Sequence, residues 1–173
     1  MRSPDILRLE PGSGRMTHPR LPVVIHRRVL AGAGREGTAS AFERLFAANA
    51  WPPRWRDGIF GYHHYHSTAH EALGVAGGEA RVQLGGPGGE IVALRAGDVL
   101  VLPAGTGHRR VRASPDFLVV GAYPRGQDYD LRTQPPTPAI LARIEAVPMP
   151  AADPAHGGAG PLPGAWEAGE GTG

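Results

Sequence analysis

Three histidines and one glutamate stand at spacings that can do chemistry. His64 and His66 are separated by one residue, Glu71 follows on the C-terminal side, and His108 lies in a separate stretch. Three imidazoles and one carboxylate make a site for a first-row divalent metal that leaves coordination positions open. Glycines frame both stretches: Gly58 and Gly78 around the first, Gly97 and Pro103-x-Gly105 ahead of His108. Such spacing suits tight turns between short strands.

Strand geometry turns these spacings into positions. Alternate residues of a strand share a face, so His64 and His66 project together with Phe60 and Tyr62, while His63 and Tyr65 point the other way. Glu71, Leu73 and Val75 share a face of the next strand, and the short connection at 67–70 lets Glu71 meet the two histidines. His108 comes from another hairpin and closes the site. Parity places His63 and His70 on the outer face, in supporting or dimer-surface roles that are left open.

Counting by twos from His108 puts Arg110 and Arg112 inward if that strand is regular. A guanidinium fork there suits a carboxylate or phosphate; the alternative is a solvated strand edge. Gln83 is either an inward polar anchor or solvent-facing. Tyr62 and Tyr123 are candidate phenols facing a ligand, with core packing the competing role. Phe60, Leu73, Val75, Val99 and Val101 are expected to be lining alone, and Trp51 and Trp55 to pack a helix onto the strands.

The elements that position these residues follow from punctuation and periodicity. Residues 22–30 are apolar and β-branched, a strand. Ser40 and Glu43 form a capping-box pattern for a short helix with Phe42, Leu45 and Phe46 on one face, ending near Asn49 because Pro52 and Pro53 cannot continue it. Seven short strands are predicted at 59–66, 71–76, 80–84, 91–94, 99–102, 108–112 and 117–123, separated by Gly-rich and Ser-Pro-Asp turns. A second helix is predicted from Thr137, with Pro138 at its first position and Ile140, Leu141 and Ile144 as its packing face. Residues 1–16 are expected to be a flexible N-terminus, 17–147 a single domain, and 148–173 a Pro/Gly-rich tail, extended on the surface or disordered.

Composition removes several classes of function. The chain has 173 residues, with 26 Gly, 18 Pro and no Cys, and every one of its 18 basic residues is Arg. Disulfides, thiol nucleophiles and lysine Schiff bases are therefore excluded. A formal charge of +2 does not by itself indicate nucleic acid. No apolar signal-peptide segment or bilayer-length run is found, so a cytoplasmic protein without a membrane partner is expected.

The two framed stretches resemble motif one and motif two of the cupin superfamily, and the strand order over about residues 20–125 is similar to that of its small jelly-roll barrels. Position 112 departs from the pattern, carrying Arg where motif two has Asn. The run from Tyr62 to Glu71, Tyr-His-His-Tyr-His-Ser-Thr-Ala-His-Glu, also looks like that of a group of short bacterial single-domain cupins. The resemblance implies an all-β cupin jelly-roll β-barrel with a short N-terminal and a short C-terminal helix. It assigns His64, His66, Glu71 and His108 as ligands of a divalent metal, whether iron, manganese, nickel, zinc or copper.

Two classes of function follow. One is an enzyme with oxygenase-type or isomerase-type chemistry on a small acidic substrate, with Tyr62, Arg110 and Tyr123 as candidate catalytic groups and Arg110, Arg112 and Gln83 as candidate substrate contacts. The other is a non-catalytic module that binds or senses a small anion. A homodimer is expected, because small barrels have edges that invite pairing.

Overall fold

Gly-rich turns cut the chain into strands of three to seven residues, and alternation decides which sheet each joins. A computed structural model describes residues 1–170. In order these form β1 (Asp5–Leu7), β2 (Val23–His26), α1 (Gly34–Ala48), β3 (Pro53–Asp57), β4 (Glu71–Gly77), β5 (Glu79–Leu84), β6 (Glu90–Arg95), β7 (Val99–Leu102), β8 (His108–Ala113), β9 (Leu118–Ala122), α2 (Pro138–Glu145) and α3 (Leu162–Glu170). A six-stranded sheet has the order β1-β2-β7-β4-β9-β3, and a three-stranded sheet has the order β6-β5-β8. After β4 the chain enters the small sheet for β5 and β6, returns for β7, crosses again for β8 and comes back for β9, and the product is a jelly roll. The two sheets are hydrogen-bonded separately, so this jelly roll is a sandwich rather than a closed barrel.

The large sheet is covered on both faces. Leu73, Val75, Leu100, Leu102 and Val119 point into the sandwich against Val82, Leu84 and Leu94 of the small sheet. Ala72, Val99, Val101 and Val120 point the other way, against Phe42, Phe46 and Trp51. This explains why β7 is an unbroken Val-Leu-Val-Leu: both faces need apolar side chains. Helix α1 lies close enough that a Cβ on Gly74 would sit 2.8 Å from the Phe42 ring, so β4 needs glycine there.

Several expectations change. Helix α1 starts at Gly34, earlier than the capping box suggests, and its N-cap residue Ala33 makes no side-chain cap bond. Ser40 and Glu43 lie inside the helix and bind Arg56 of β3, a strand absent from the sequence prediction. The segment 59–66 is not a regular strand; it makes isolated bridges, His64 to His108 and Tyr65 to Arg132, and the carbonyls of Phe60 and His66 accept from the N–H groups of Arg110 and Gly105. The N-terminus is tied in: β1 pairs with β2, and Met16 is buried. The segment from 148 packs rather than dangling: Ala155, Leu162 and Trp166 join the core beneath α1. The last three residues of that predicted tail lie outside the described residues. Helix α2 forms as expected, with the Thr137 hydroxyl accepting from the Ile140 N–H and Ile144 fully buried. Ile144 packs over Gly105, which sits at φ +82° with no room for a Cβ. Among the described residues no helix is long and apolar enough to cross a membrane.

Candidate metal centre

Three separate pieces of chain bring the four candidate ligands together. His64 and His66 ride on the segment before β4, Glu71 begins β4, and His108 begins β8. A two-way backbone bridge between His64 and His108 (N–H to carbonyl, 3.3 and 2.9 Å) locks the first segment against β8. One nitrogen from each of the three histidines lies within 4.8 Å of the others, and all three side chains are buried. The Glu71 carboxylate reaches the same point, with Oε2 3.1 Å from His66 Nε2 and Oε1 3.1 Å from His108 Nε2.

The outer nitrogens decide what this cluster can hold. His64 Nδ1 is 3.0 Å from the Tyr62 carbonyl, His108 Nδ1 is 3.0 Å from the Thr106 carbonyl, and His66 Nδ1 contacts the Asp130 carbonyl. A carbonyl only accepts, so each Nδ1 carries a proton, and in the neutral ring each Nε2 turns a lone pair inward. A carboxylate and three lone pairs then face one another in a buried space. Glu71 Oε1 has no hydrogen-bond partner there, a cost a native fold tolerates when a cation completes the site. The donor set of three neutral imidazoles and one carboxylate fits a divalent first-row ion, and each outer N–H is already held in the way metal-bound histidines are held.

The electrostatics couple the carboxylate to the histidines. Burial alone would raise the Glu71 carboxyl, but His66 and His108 outweigh it and hold it well below the usual carboxylate range. Burial, helped by His108, pushes His64 down to about 3. Burial would also lower His66, yet Glu71 and the Asp130 carbonyl raise it. Tyr123 donates from its hydroxyl to Glu71 Oε2 at 2.6 Å and accepts from Trp55 Nε1–H at 2.9 Å. Burial and the neighbouring Glu71 charge push the Tyr123 phenol up, so it stays a donor.

A cavity of about 580 Å³ opens above the cluster. His64, His66, Glu71 and His108 form its floor, and Tyr123 and Arg110 also line it. Arg112 and Gln83 lie elsewhere. Strand β8 pairs with β5 as His108 to Leu84, Arg109 to Gln83 and Arg110 to Val82, then shifts register so that Arg112 meets Arg81. That bulge breaks the count by twos and carries Arg112 to the outer face, while Arg110 stays with the core-facing row. Gln83 sits on the outer face of β5, accepting from Arg109 Nε and donating to the Gly89 carbonyl. Tyr62 stacks on Phe60 at 4.8 Å beside the cavity rather than lining it. His63 is half-buried near Arg109, away from the cluster. His70 is fully buried, with Nδ1 accepting from the Ala104 N–H and its ring 4.7 Å from Trp166.

Sequence reasoning missed four contributors. Trp55 lines the cavity from β3 instead of packing the helix, because its alternation follows a strand that two prolines concealed. Tyr129 and Leu131 form part of the wall from a segment with no regular structure. Asp130 fixes that segment: its carboxylate accepts from the Ser67 N–H and hydroxyl and from Arg132, while its carbonyl holds His66. The nearest sequence signal was the run Asp128-Tyr129-Asp130, which carries no recognisable spacing.

The chain is 38% identical to Bacillus subtilis YjlB, described as an uncharacterized protein, over 159 residues covering 90% of this chain and 93% of that one. It belongs to the YjlB family. The jelly roll, with both histidine motifs at the sandwich mouth, agrees with the cupin resemblance of the sequence. No family model matches the chain. Similar solved structures include a DUF861 family protein from Thermotoga maritima, 18% identical over 57% of this chain and 96% of that one at a TM-score of 0.37. An oxalate decarboxylase variant from Bacillus subtilis is 17% identical over 69% of this chain and 29% of that longer one, at a TM-score of 0.39.

Proposed function

We propose that this cupin is a metal-dependent enzyme acting on an acidic small molecule, with oxygenase-type or isomerase-type chemistry. The observation that carries the reading is the inward convergence of three imidazole Nε2 atoms and Glu71 at the floor of an open cavity. His64, His66, Glu71 and His108 would hold the ion. A divalent ion there supplies a Lewis acid and, if it is iron, redox chemistry. The protein does the rest. Carbonyls of Tyr62, Thr106 and Asp130 keep the imidazoles in the ligating tautomer. Tyr123 holds its proton on Glu71 Oε2 and fixes that carboxylate's orientation. Arg110 stands at the cavity as the guanidinium for a substrate carboxylate.

The commitment of Tyr123 to Glu71 and Trp55 favours a second reading, a non-catalytic module that holds or senses a small anion. Turnover separates the two. Anaerobic loading with iron(II), then oxygen uptake across a panel of carboxylic acids, is expected to show acid-dependent consumption. Tight acid binding without turnover under iron, manganese, nickel, zinc or copper would leave the binding module. A homodimer and a cytoplasmic location belong to the same proposal; light scattering at tens of micromolar giving about twice the 18.2 kDa chain mass would support the dimer.

A further inference from the structure

The cavity is larger and greasier than a small polar acid needs. Its floor is polar, but the lining above includes Trp55, Phe60, Tyr123, Tyr129 and Leu131, with Asp57 as a second charged group beside Arg110. Tyr123 and Tyr129 stack at 4.4 Å, and Phe60 stacks on Tyr62 at 4.8 Å. At the mouth these apolar groups are left to water: Phe60 and Leu131 are each 50% exposed and Tyr129 is 39% exposed. Exposed large apolar side chains gathered around one concave site mark a binding surface, whereas scattered single ones mean nothing. A volume of about 580 Å³ falls among sites that enclose a whole organic ligand. A two-carbon dicarboxylate or a sugar acid would leave the aromatic walls wet. Arg110 is the guanidinium among the lining groups, so a ligand matched to this cavity carries its charge at one end only.

Resting on the metal-centre reading above, we infer that the substrate class is an amphiphilic acid: an oxygen-bearing head, carboxylate or 2-oxo acid, directed to the floor and Arg110, and an aromatic or branched apolar body lying against Phe60 and the Tyr123–Tyr129 pair. The aromatic walls select the body by stacking and desolvation, and the floor selects the head.

The test uses the whole protein loaded with cobalt(II), with metal uptake measured first by calorimetry. Phenylpyruvate and phenylacetate are then titrated against oxalate and gluconate. The aromatic acids are expected to bind about tenfold or more tighter than oxalate, from stacking and apolar burial of the ring. Phe60→Ala and Leu131→Ala, both at exposed positions, are expected to weaken the aromatic acids several-fold and leave oxalate unchanged. Failure to take up cobalt overturns the metal reading and this inference with it. Uptake with oxalate or gluconate binding as tightly as the aromatic acids, or with no acid bound at all, overturns the inference alone. So does a change of oligomeric state in the two rim variants with aromatic-acid affinity intact, because the apolar rim would then belong to a second copy of the chain.

Discussion

Among the described residues, two buried clusters pair histidine with a carboxylate, and they are built differently. At the mouth of the sandwich, Glu71 meets His66 and His108. On the opposite face of the large sheet, Asp153 meets His26 Nε2 at 3.0 Å, with His156 stacked edge-on to His26. Asp153 is saturated by backbone: its Oδ1 accepts from the N–H groups of Ala155 and His156, and its Oδ2 accepts from Leu162. It is a staple that pins the segment leading into α3 onto β2. Glu71 receives no backbone N–H; its one hydrogen-bonding hydroxyl is Tyr123, and Oε1 is left bare beside a histidine whose proton points away. Composition does not separate the clusters. What separates them is where the spare valences go, into the fold at Asp153 and into a cavity at Glu71.

The sharpest way to break that comparison is to remove a histidine from each. His66→Ala and His108→Ala are expected to abolish divalent-metal binding, and His26→Ala to leave it intact. With metal at about 100 times its dissociation constant, ligation adds ~2.7 kcal/mol of stability. For a domain of this size that is a melting shift of roughly 5–10 °C, absent in the two ligand variants. Elemental analysis and thermal shifts with and without EDTA check it. A metal-dependent shift that survives His66→Ala would erase the distinction.

Asp153→Ala tests the other cluster. Removing a buried carboxylate that caps three N–H groups and faces His26 is expected to cost about 3 kcal/mol, with metal stoichiometry unchanged. The acid limb of stability carries the same signature. Burial would raise Asp153, but His26 and the backbone donors outweigh it and lower it below the ordinary range. A carboxyl lowered in the folded state contributes fully above its unfolded value of about 3.9, and that contribution is lost as the pH falls through the folded value. The stability gap between wild type and Asp153→Asn, followed by denaturant titration, should be flat from pH 7 to 5 and should narrow below about pH 4.

Tyr123→Phe is expected to have a smaller effect than either cluster's variants. It removes the hydroxyl that orients Glu71 while sparing all four candidate ligands, and loss of such a supporting contact is expected to weaken metal binding by about 10–100-fold. Calorimetry of metal uptake is the measurement, and unchanged affinity would reduce Tyr123 to wall packing.

These contrasts also show what was legible beforehand. The convergence of His64, His66, Glu71 and His108 could be read because clustered side chains and tight turns both leave fixed spacings, and β4 to β9 could be read because turns punctuate short strands. The Asp153 staple could not: its partners are backbone groups, which have no letter in the sequence, so the segment from 148 looked like a loose tail. β3 was hidden by the adjacent prolines Pro52 and Pro53, and Trp55 went with it. The helix start was misjudged because Ser40 and Glu43 satisfy Arg56 across the sheet instead of capping their own helix. The wall made by Tyr129 and Leu131 rests on Asp130, a long-range contact that no local period encodes.

The smallest expected effect is the most exact test of the strand register. Arg110 and Arg112 are two apart, and a regular strand would aim both into the cavity. The register shift after Val82 in the pairing of β5 with β8 inserts an extra residue, so Arg110 keeps to the inward row of His108 while Arg112 pairs with the exposed Arg81. Arg110→Ala is therefore expected to weaken carboxylate binding to metal-loaded protein by about tenfold, the scale of one charge-assisted hydrogen bond. Arg112→Ala should change it by less than about twofold, as surface substitutions usually do. Acid titrations of both variants, with metal content confirmed equal, read the difference directly. If the two variants lose affinity equally, the bulge does not separate them and both guanidinium groups serve the site; if neither loses affinity, the anion is held by the floor alone.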